Sequence, residues 1–378
     1  MYVSRLQKYL IHNNLALGIL VLAWLSSVLA TEAYAEPSNP PRTLLRFLNN
    51  SLEHPVRIIP NPSDTSGLLI AERGGTIEVF DGKRLNYRPL LDIEELFEGR
   101  ATYGLIDIQA SNPQPGKLPT FFIAYKENHG DVIVARLIPK KDSTSGEREL
   151  YGILKIARLE PNSTHVALSV DKYENLYVAT GKARLESTPK KLDIPRAHPF
   201  DGTILRIRPG NTTGYTIPKR NTCKNSTTIK PEVWRIGIHN PLALWHDPNT
   251  AKLFVADDDF LGVTTVYQAS SSTCSSRSSQ RTLPSTRISH QPSTPPIVAG
   301  IYTGRDFPEL NGMVIYGDSL TGKIFAIQPS RSSGDVQQSP VELAQLPNST
   351  LSAIGYDGRG RIYLASNEGK LWRVEPNS

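Results

Sequence analysis

Residues Glu232 to Asp259 read EVWRIGIHNPLALWHDPNTAKLFVADDD. An apolar lead-in with one arginine (Val233, Trp234, Arg235, Ile236) runs into a Gly-x-His-Asn-Pro turn at Gly237–Pro241. An apolar run with an aromatic follows, Leu242 to Trp245, then Asp247-Pro248-Asn249-Thr250, then Leu253 to Ala256 and three aspartates. Pro241 cannot donate to a ladder, so it marks a strand start or an edge. Asp-Pro-Asn between two apolar runs is turn chemistry: proline presets φ, and Asp and Asn side chains bond their own backbone. The stretch predicts a β-hairpin whose mouth is polar and carries His239.

Working outward, the same phrase recurs: short apolar strand, polar turn with Gly or Asp, second strand. It stands at LLIAERGGTIEVF (Leu68), FFIAYKENHGDVIVARL (Phe121), LYVATG (Leu176, with GTILRI at Gly202 to Ile207), LFVADDDFLGVTTVY (Leu253), MVIYGDSLTGKIFAI (Met313) and IYLASNEGKLWRV (Ile362). Six starts with a mean step of about 59 residues are the signature of propeller blades, because each unit can bury its faces only against its neighbours. The longest step is explained by polar insertions at 182–199 and 209–231. The expected fold is all-β, a six-bladed β-propeller of four-stranded antiparallel sheets over 45–378. The recurring phrases supply inner or middle strands, and the channel mouth is the default ligand site. Residues 36–44 read as a linker and 269–296 as a long exposed Ser/Thr/Pro-rich loop. Only Ile93 to Phe97 hints at a helical turn.

Composition narrows the function classes. Of 378 residues, 39% are hydrophobic and 21% charged, which is globular rather than disordered. The net charge of +6 is spread with no Lys/Arg block, so nucleic-acid binding has no support. Residues 1–35 read as a signal peptide: Arg5 and Lys8, an apolar core from Leu15 to Leu29, then Ala33-Tyr34-Ala35. That core is shorter than a span's ~20 residues, so cleavage is expected, with no membrane span afterwards and a secreted or periplasmic location. The two cysteines, Cys223 and Cys274, are expected to form one disulfide that clips polar insertions rather than building the core.

The string GIHNP…HDPNTAKLFVADD resembles the glucose/sorbosone dehydrogenase family of six-bladed propellers. So do LLIAERGGTIEVFDG, YGLIDIQASN, FDGTILRIRPGN and, above all, IVAGIYTGRDFPELNGMVIYGDSLTGKIFAI (Ile297 to Ile327), whose form is similar to the branch that includes the hedgehog-interacting proteins. The resemblance implies a sugar dehydrogenase using pyrroloquinoline quinone (PQQ) with calcium. In that chemistry a histidine takes the anomeric proton, hydride passes to the quinone, and cations hold the quinone's carboxylates. The resemblance makes His165 the catalytic base, although Lys182 stands where the family has an orienting aspartate. It places His239 and Asn240 at the cofactor, with His239 in the family's arginine position. Lys182 and Lys323 are the further candidate cofactor cations. The family's late arginines are replaced by Thr350, Leu351 and Ser352. Asp257 and Asp258 are the candidate calcium ligands.

Each candidate has a plainer alternative: a histidine at a strand start bonding a loop, a turn histidine, lysines and Arg361 on solvated faces, a solvated run of aspartates. Two functions follow. One is an exported PQQ-dependent aldose dehydrogenase with a small-molecule sugar as partner and a partly degenerate pocket. The other is a non-catalytic extracellular propeller that binds a carbohydrate or a protein.

Overall fold

The computed structural model describes residues 41–97, 104–111, 118–127, 130–139, 148–157, 165–182, 199–211, 213–271, 282–330 and 338–377. The expected signal segment, most of the expected linker and Cys274 lie outside them. The first strand, β1 (Thr43–Asn49), begins inside the expected linker. Blade 1 follows as β2 (Pro55–Pro60), β3 (Leu68–Glu72) and β4 (Ile77–Phe80). Blade 2 is β5 (Gly104–Ala110), β6 (Phe121–Lys126), β7 (Val132–Pro139) and β8 (Arg148–Ile156). Blade 3 is β9 (Val166–Val170), β10 (Leu176–Thr180), β11 (Thr203–Pro209), and two pieces that pair with β11, β12 (Tyr215–Thr216) and β13 (Val233–Ile236). Blade 4 is β14 (Pro241–His246), β15 (Leu253–Asp258), β16 (Val263–Gln268) and β17 (Thr282–Ser289). Blade 5 is β18 (Ile297–Ile301), β19 (Val314–Gly317), β20 (Lys323–Ile327) and β21 (Val341–Gln345). Blade 6 is β22 (Leu351–Tyr356), β23 (Ile362–Ser366) and β24 (Leu371–Pro376), completed by β1 antiparallel to β24.

The protein is thus an all-β, six-bladed propeller. The pairing of β1 with β24 closes the ring with both ends of the described chain in one sheet, which removes an open edge. Six apolar clusters hold it together, one at each blade-to-blade contact. Leu168, Val178 and Leu205 pack against Phe122, Val134 and Leu154 between blades 2 and 3; Leu68, Ile70 and Phe80 meet Ala353, Tyr363 and Leu371 between blades 1 and 6. The central strands alternate little because both their faces are covered; all five residues of β3, β10 and β23 are buried.

The recurring phrases are the middle strands, the second and third of each blade, as expected; the innermost strands β2, β5, β9, β14, β18 and β22 are separate, less regular segments. Other expectations need correcting in detail. The opening stretch straddles two blades: β13 belongs to blade 3, and only β14–β15 is the hairpin. Its Asp247 turn forms as expected, with Asn249 N–H and Thr250 Oγ1 donating to the Asp247 carboxylate at 2.9 and 2.5 Å. The segment read as an exposed loop, 269–296, contains β17, whose Thr286 and Ile288 are buried. β-branched residues at alternate positions suit a pleated outer strand, and the serines around them masked that signal. Cys223 is disulfide-bonded and fully buried in the core between blades 2 and 3, so its sulfur is part of that core. The turn at Ile93 to Phe97 is a 3-10 helix, Glu94–Phe97.

Candidate functional site

The six innermost strands surround the axis, and their first residues form a mouth on one face, the upper face below. Pro55, Gly104, Val166, Pro241, Ile297 and Leu351, one from each blade, line a cavity of about 400 Å3, within the ~300–1,000 Å3 usual for small-ligand pockets. Its polar walls are His165, Arg57, Arg73, Lys126, Ser352 and Asn367. Five of the six strands carry a register irregularity close to their start, at Pro55/Arg57, Leu105/Asp107, Pro241/Ala243, Val298/Gly300 and Leu351/Ala353. Such bulges re-aim side chains and gather next to sites.

Two of the bulges are followed by charges that face one another. Arg57 Nε lies 3.2 Å from Asp107 Oδ1, with the side chains 16% and 5% exposed. Asp107 Oδ2 also accepts the Leu168 N–H at 2.7 Å, so this carboxylate ties blade 2 to blade 3 while holding an arginine of blade 1.

His165 stands immediately before β9. Burial pushes its imidazole below the usual histidine range, against the Asp258 charge and a side-chain hydrogen bond with Asn240. Its Nδ1 is buried and has no partner among the described residues. The ring is therefore neutral at neutral pH, the protonation state a general base requires.

The Gly237–Pro241 turn carries the chain from blade 3 to blade 4. Asp257 holds it: Oδ1 accepts the backbone N–H of His239 and of Asn240, both at 2.8 Å, and Oδ2 lies 3.2 Å from His239 Nδ1. Lys182 N–H donates to the His239 carbonyl at 2.8 Å. Burial pushes the Lys182 ammonium's pKa down, opposed by Asp257. Its stem lies over Gly202, where φ is +64 and an added Cβ would stand 2.6 Å from Lys182 Cγ, so glycine is required there.

The structure thus brings together His165, Asn240, His239, Lys182 and Asp257 around one turn beside the mouth, although of these only His165 lines the cavity. It does not bring Lys323, which sits in the third strand of blade 5 and pairs with Glu342 at 2.8 Å. Arg361 pairs with Asp357 at 2.6 Å, beyond the opposite end of the innermost strand. Asp257 and Asp258 are successive strand residues and point to opposite sides. Asp258 accepts the Phe260 N–H at 2.8 Å, and its Oδ2 lies 2.8 Å from His290 Nε2 and 3.1 Å from Thr264 Oγ1. Oxygens so occupied by N–H and O–H donors do not form a calcium cage. Among the described residues no group of three or more His, Cys, Asp or Glu is arranged to hold a metal ion.

Sequence reasoning missed Arg57, Arg73 and Lys126. Arg73 lies inside a quoted phrase, LLIAERGGTIEVF, and Lys126 ends the next strand, within FFIAYKENHGDVIVARL. Their signal was position: each stands at the upper end of a strand in blades 1 or 2, which becomes visible only once the strands are placed around the axis.

Fold and mouth define a six-bladed propeller of the kind that carries its site on the axis. The sequence profile of the glucose/sorbosone dehydrogenase family matches residues 52–258, more than half of the chain, and the chain belongs to that family. Among curated proteins it is similar to the Hedgehog-interacting proteins of Mus musculus and Homo sapiens, each 22% identical over 370 residues, 86% of this chain and 51% of theirs. It therefore spans about half the length of those relatives. Among solved structures it shares its fold with the soluble aldose sugar dehydrogenase of Escherichia coli (TM-score 0.65, 17% identity, 89% of this chain and all of that one). The PQQ-bound aldose sugar dehydrogenase of Streptomyces coelicolor is also similar (0.62, 15%, 90% of this chain and all of that one). Among the described residues no helix is long and apolar enough to cross a membrane.

Proposed function

We propose that the chain is an exported sugar oxidoreductase that works at the upper mouth on the anomeric hydroxyl of an aldose, with PQQ as its oxidant. The observation that carries this is His165: a neutral imidazole lining the axial cavity, oriented through Asn240, with Nδ1 unpartnered among the described residues. The lining is compatible with the cofactor in charge, since Arg73, Lys126 and the Asp107-paired Arg57 all line the cavity. These cations come from blades 1 and 2, so they would take the holding role that the family resemblance gave to His239, Lys182 and Lys323. When bound, the quinone would supply the hydride acceptor. Asn240 holds the imidazole, and His165 Nδ1 receives the hydroxyl proton. The inner-strand backbones keep bulk water from that acceptor. Asp257 orders the turn that carries Asn240; it and Asp258 are left out of any metal role.

The test is aldose-dependent dye reduction by the full chain with added PQQ and calcium. Turnover is expected in the wild type, and His165→Gln should lower it by about 10²–10⁴-fold, the usual worth of a general base. Retained turnover in His165→Gln removes that residue as the base. No turnover with any aldose, together with binding of a sugar or a protein, favours the second reading: a non-catalytic extracellular propeller. That reading is supported by Lys182 in the place of an orienting carboxylate and by the similarity to Hedgehog-interacting proteins.

A further inference from the structure

The opposite, lower face carries a larger cleft of about 1350 Å3, above the ~300–1,000 Å3 of ordinary small-ligand pockets, so its occupant is extended. The cleft is built from the far ends of innermost strands and the turns that follow them in blades 4, 5, 6 and 1, with Gln109 of blade 2 and the outer strands β1 and β24 of blade 6. Its walls hold six arginines, Arg46, Arg57, Arg305, Arg359, Arg361 and Arg373, against three carboxylates, Asp306, Asp357 and Glu375. Asp357 is already occupied: it accepts from Arg361 Nε at 2.6 Å and from the Arg359 and Arg361 N–H groups at 2.9 and 3.0 Å. Glu375 is held by Arg373, with Arg46 at 3.6 Å. Arg305 and Arg359 are exposed and make no ion pair among the described residues. The surplus charge is therefore positive and turned to solvent.

A second observation concerns hydrogen bonding in the same walls. Three buried N–H donors, Arg57 Nε, Trp245 Nε1 and Arg361 Nη2, have no hydrogen-bond acceptor among the described residues, and all three belong to walls of this cleft. Arg57 Nε is close enough to Asp107 for an ion pair but is not aligned with it for a hydrogen bond. Buried donors without acceptors are rare because they forfeit their hydration. Trp245 Nε1 and Arg361 Nη2 lack an oxygen acceptor, and Arg57 Nε has only the misaligned Asp107 oxygen.

We propose that this cleft binds an acidic oligosaccharide whose sulfate or carboxylate groups meet the arginines. Thr65, Gln109, Asn249 and Thr303 lie between the cations and suit the hydroxyls of a sugar. A nucleic acid would need open aromatic faces for its bases, and the cleft offers none. Phe254 stacks on the Trp245 ring at 5.8 Å and 13°, and Gly300 packs so close that an added Cβ would stand 3.2 Å from ring atoms. Tyr356 spends its hydroxyl on the Gly300 carbonyl at 3.2 Å. Trp245 therefore has no open face to give, and its Nε1 is buried and unpaired among the described residues. The inference does not depend on catalysis at the upper mouth.

The test is calorimetric titration of the full chain with a heparin oligosaccharide at low salt. The comparison ligands are its desulfated, neutral counterpart and poly-glutamate. Binding should be salt-sensitive and specific to the sulfated form. The double reversal Arg305→Glu/Arg359→Glu should weaken it by roughly ten-fold or more for each charge-assisted hydrogen bond removed; both side chains are exposed, so the fold should persist, as a melting curve will show. Lys219→Glu/Arg220→Glu, an equal change of charge on exposed residues of blade 3, should leave affinity unchanged. Trp245→Phe, which keeps a ring and removes the N–H, should cost less than the double reversal but measurably. Unchanged affinity in Arg305→Glu/Arg359→Glu, or an equal loss in Lys219→Glu/Arg220→Glu, overturns the site. Poly-glutamate bound as tightly as the glycan overturns the ligand class in favour of an acidic peptide.

Discussion

The mouth where the innermost strands begin encloses about 400 Å3 and a buried, neutral imidazole. The cleft where they end encloses about 1350 Å3 and presents arginines. Both are lined by the same kind of strand, yet they suit different chemistry. At the upper end the bulges and the blade-to-blade turns bring one or two side chains each to a narrow ring. At the lower end the hairpin turns of blades 4, 5, 6 and 1 spread outward and expose longer side chains. Arg57 lines both cavities, and its ion pair with Asp107 is common ground between them. Two ends of one ring of strands can thus suit different chemistry while sharing an arginine.

The largest effect is expected from removing that pair. Asp107→Ala leaves a buried guanidinium without its carboxylate and takes an acceptor from Leu168 N–H. Breaking a buried pair in this way costs about 3–5 kcal/mol, which denaturant unfolding will measure; a loss under about 1 kcal/mol would mean that water already reaches Arg57.

Next in size is a difference in pH response between the two ends. Turnover at the upper mouth needs neutral His165. Burial lowers its pKa from 6.5, so activity should hold below pH 6.5 and then fall about ten-fold per pH unit. His246, at the lower cleft, is held down to about 4 mainly by burial, and arginines do not titrate in this range. Glycan binding there should stay flat from about pH 8 to about pH 5. Parallel pH curves for the two activities would show that they share a site.

A smaller effect concerns Glu72, next to Arg73. Burial raises its carboxyl from 4.5 to about 7, with Glu78, Glu53 and Glu94 adding repulsion and the Glu53 N–H opposing. Its folded pKa lies above the unfolded one, so the folded state holds the extra proton. The associated stability is complete below about 4.5 and is lost as pH rises through about 7. Glu72→Gln should therefore raise the melting temperature at about pH 8 and leave it nearly unchanged at about pH 4. An equal shift at both pH values would assign the gain to packing.

The smallest effect is expected at Lys323. Its pair with Glu342 is 38% and 45% exposed, and such surface pairs are worth about 0–1 kcal/mol. Lys323→Ala should leave both stability and PQQ affinity unchanged, and a clear loss of PQQ affinity would return this lysine to the cofactor frame.

Much of this was legible in the chain. The repeated strand–turn–strand phrase marked the second and third strands of the blades because both faces of those strands are buried, which leaves a plain apolar run. The turns at Asp247 and Gly237 were legible because Pro, Asn, Asp and Gly fix backbone angles locally. The family phrases singled out His165, His239 and Asn240 one by one; that Asn240 meets His165 came only from the structure. Cys223 was misjudged because its flanks are polar, although the side chain is buried between two blades. β17 was missed because serines and threonines serve a loop and an outer strand equally well.

What the sequence determined by itself is the set of local choices: where strands run, where they turn, and how often the unit repeats. Those depend on residues within a few positions of one another. Only the tertiary structure decided which charges meet. Arg57, Arg73 and Lys126 come from separate strands, Asp107 reaches Arg57 and Leu168 in different blades, and the six arginines of the lower cleft are drawn from both ends of the described chain. Closing the sheets into a ring fixes those distances, and nothing in the spacing of the residues along the chain encodes them.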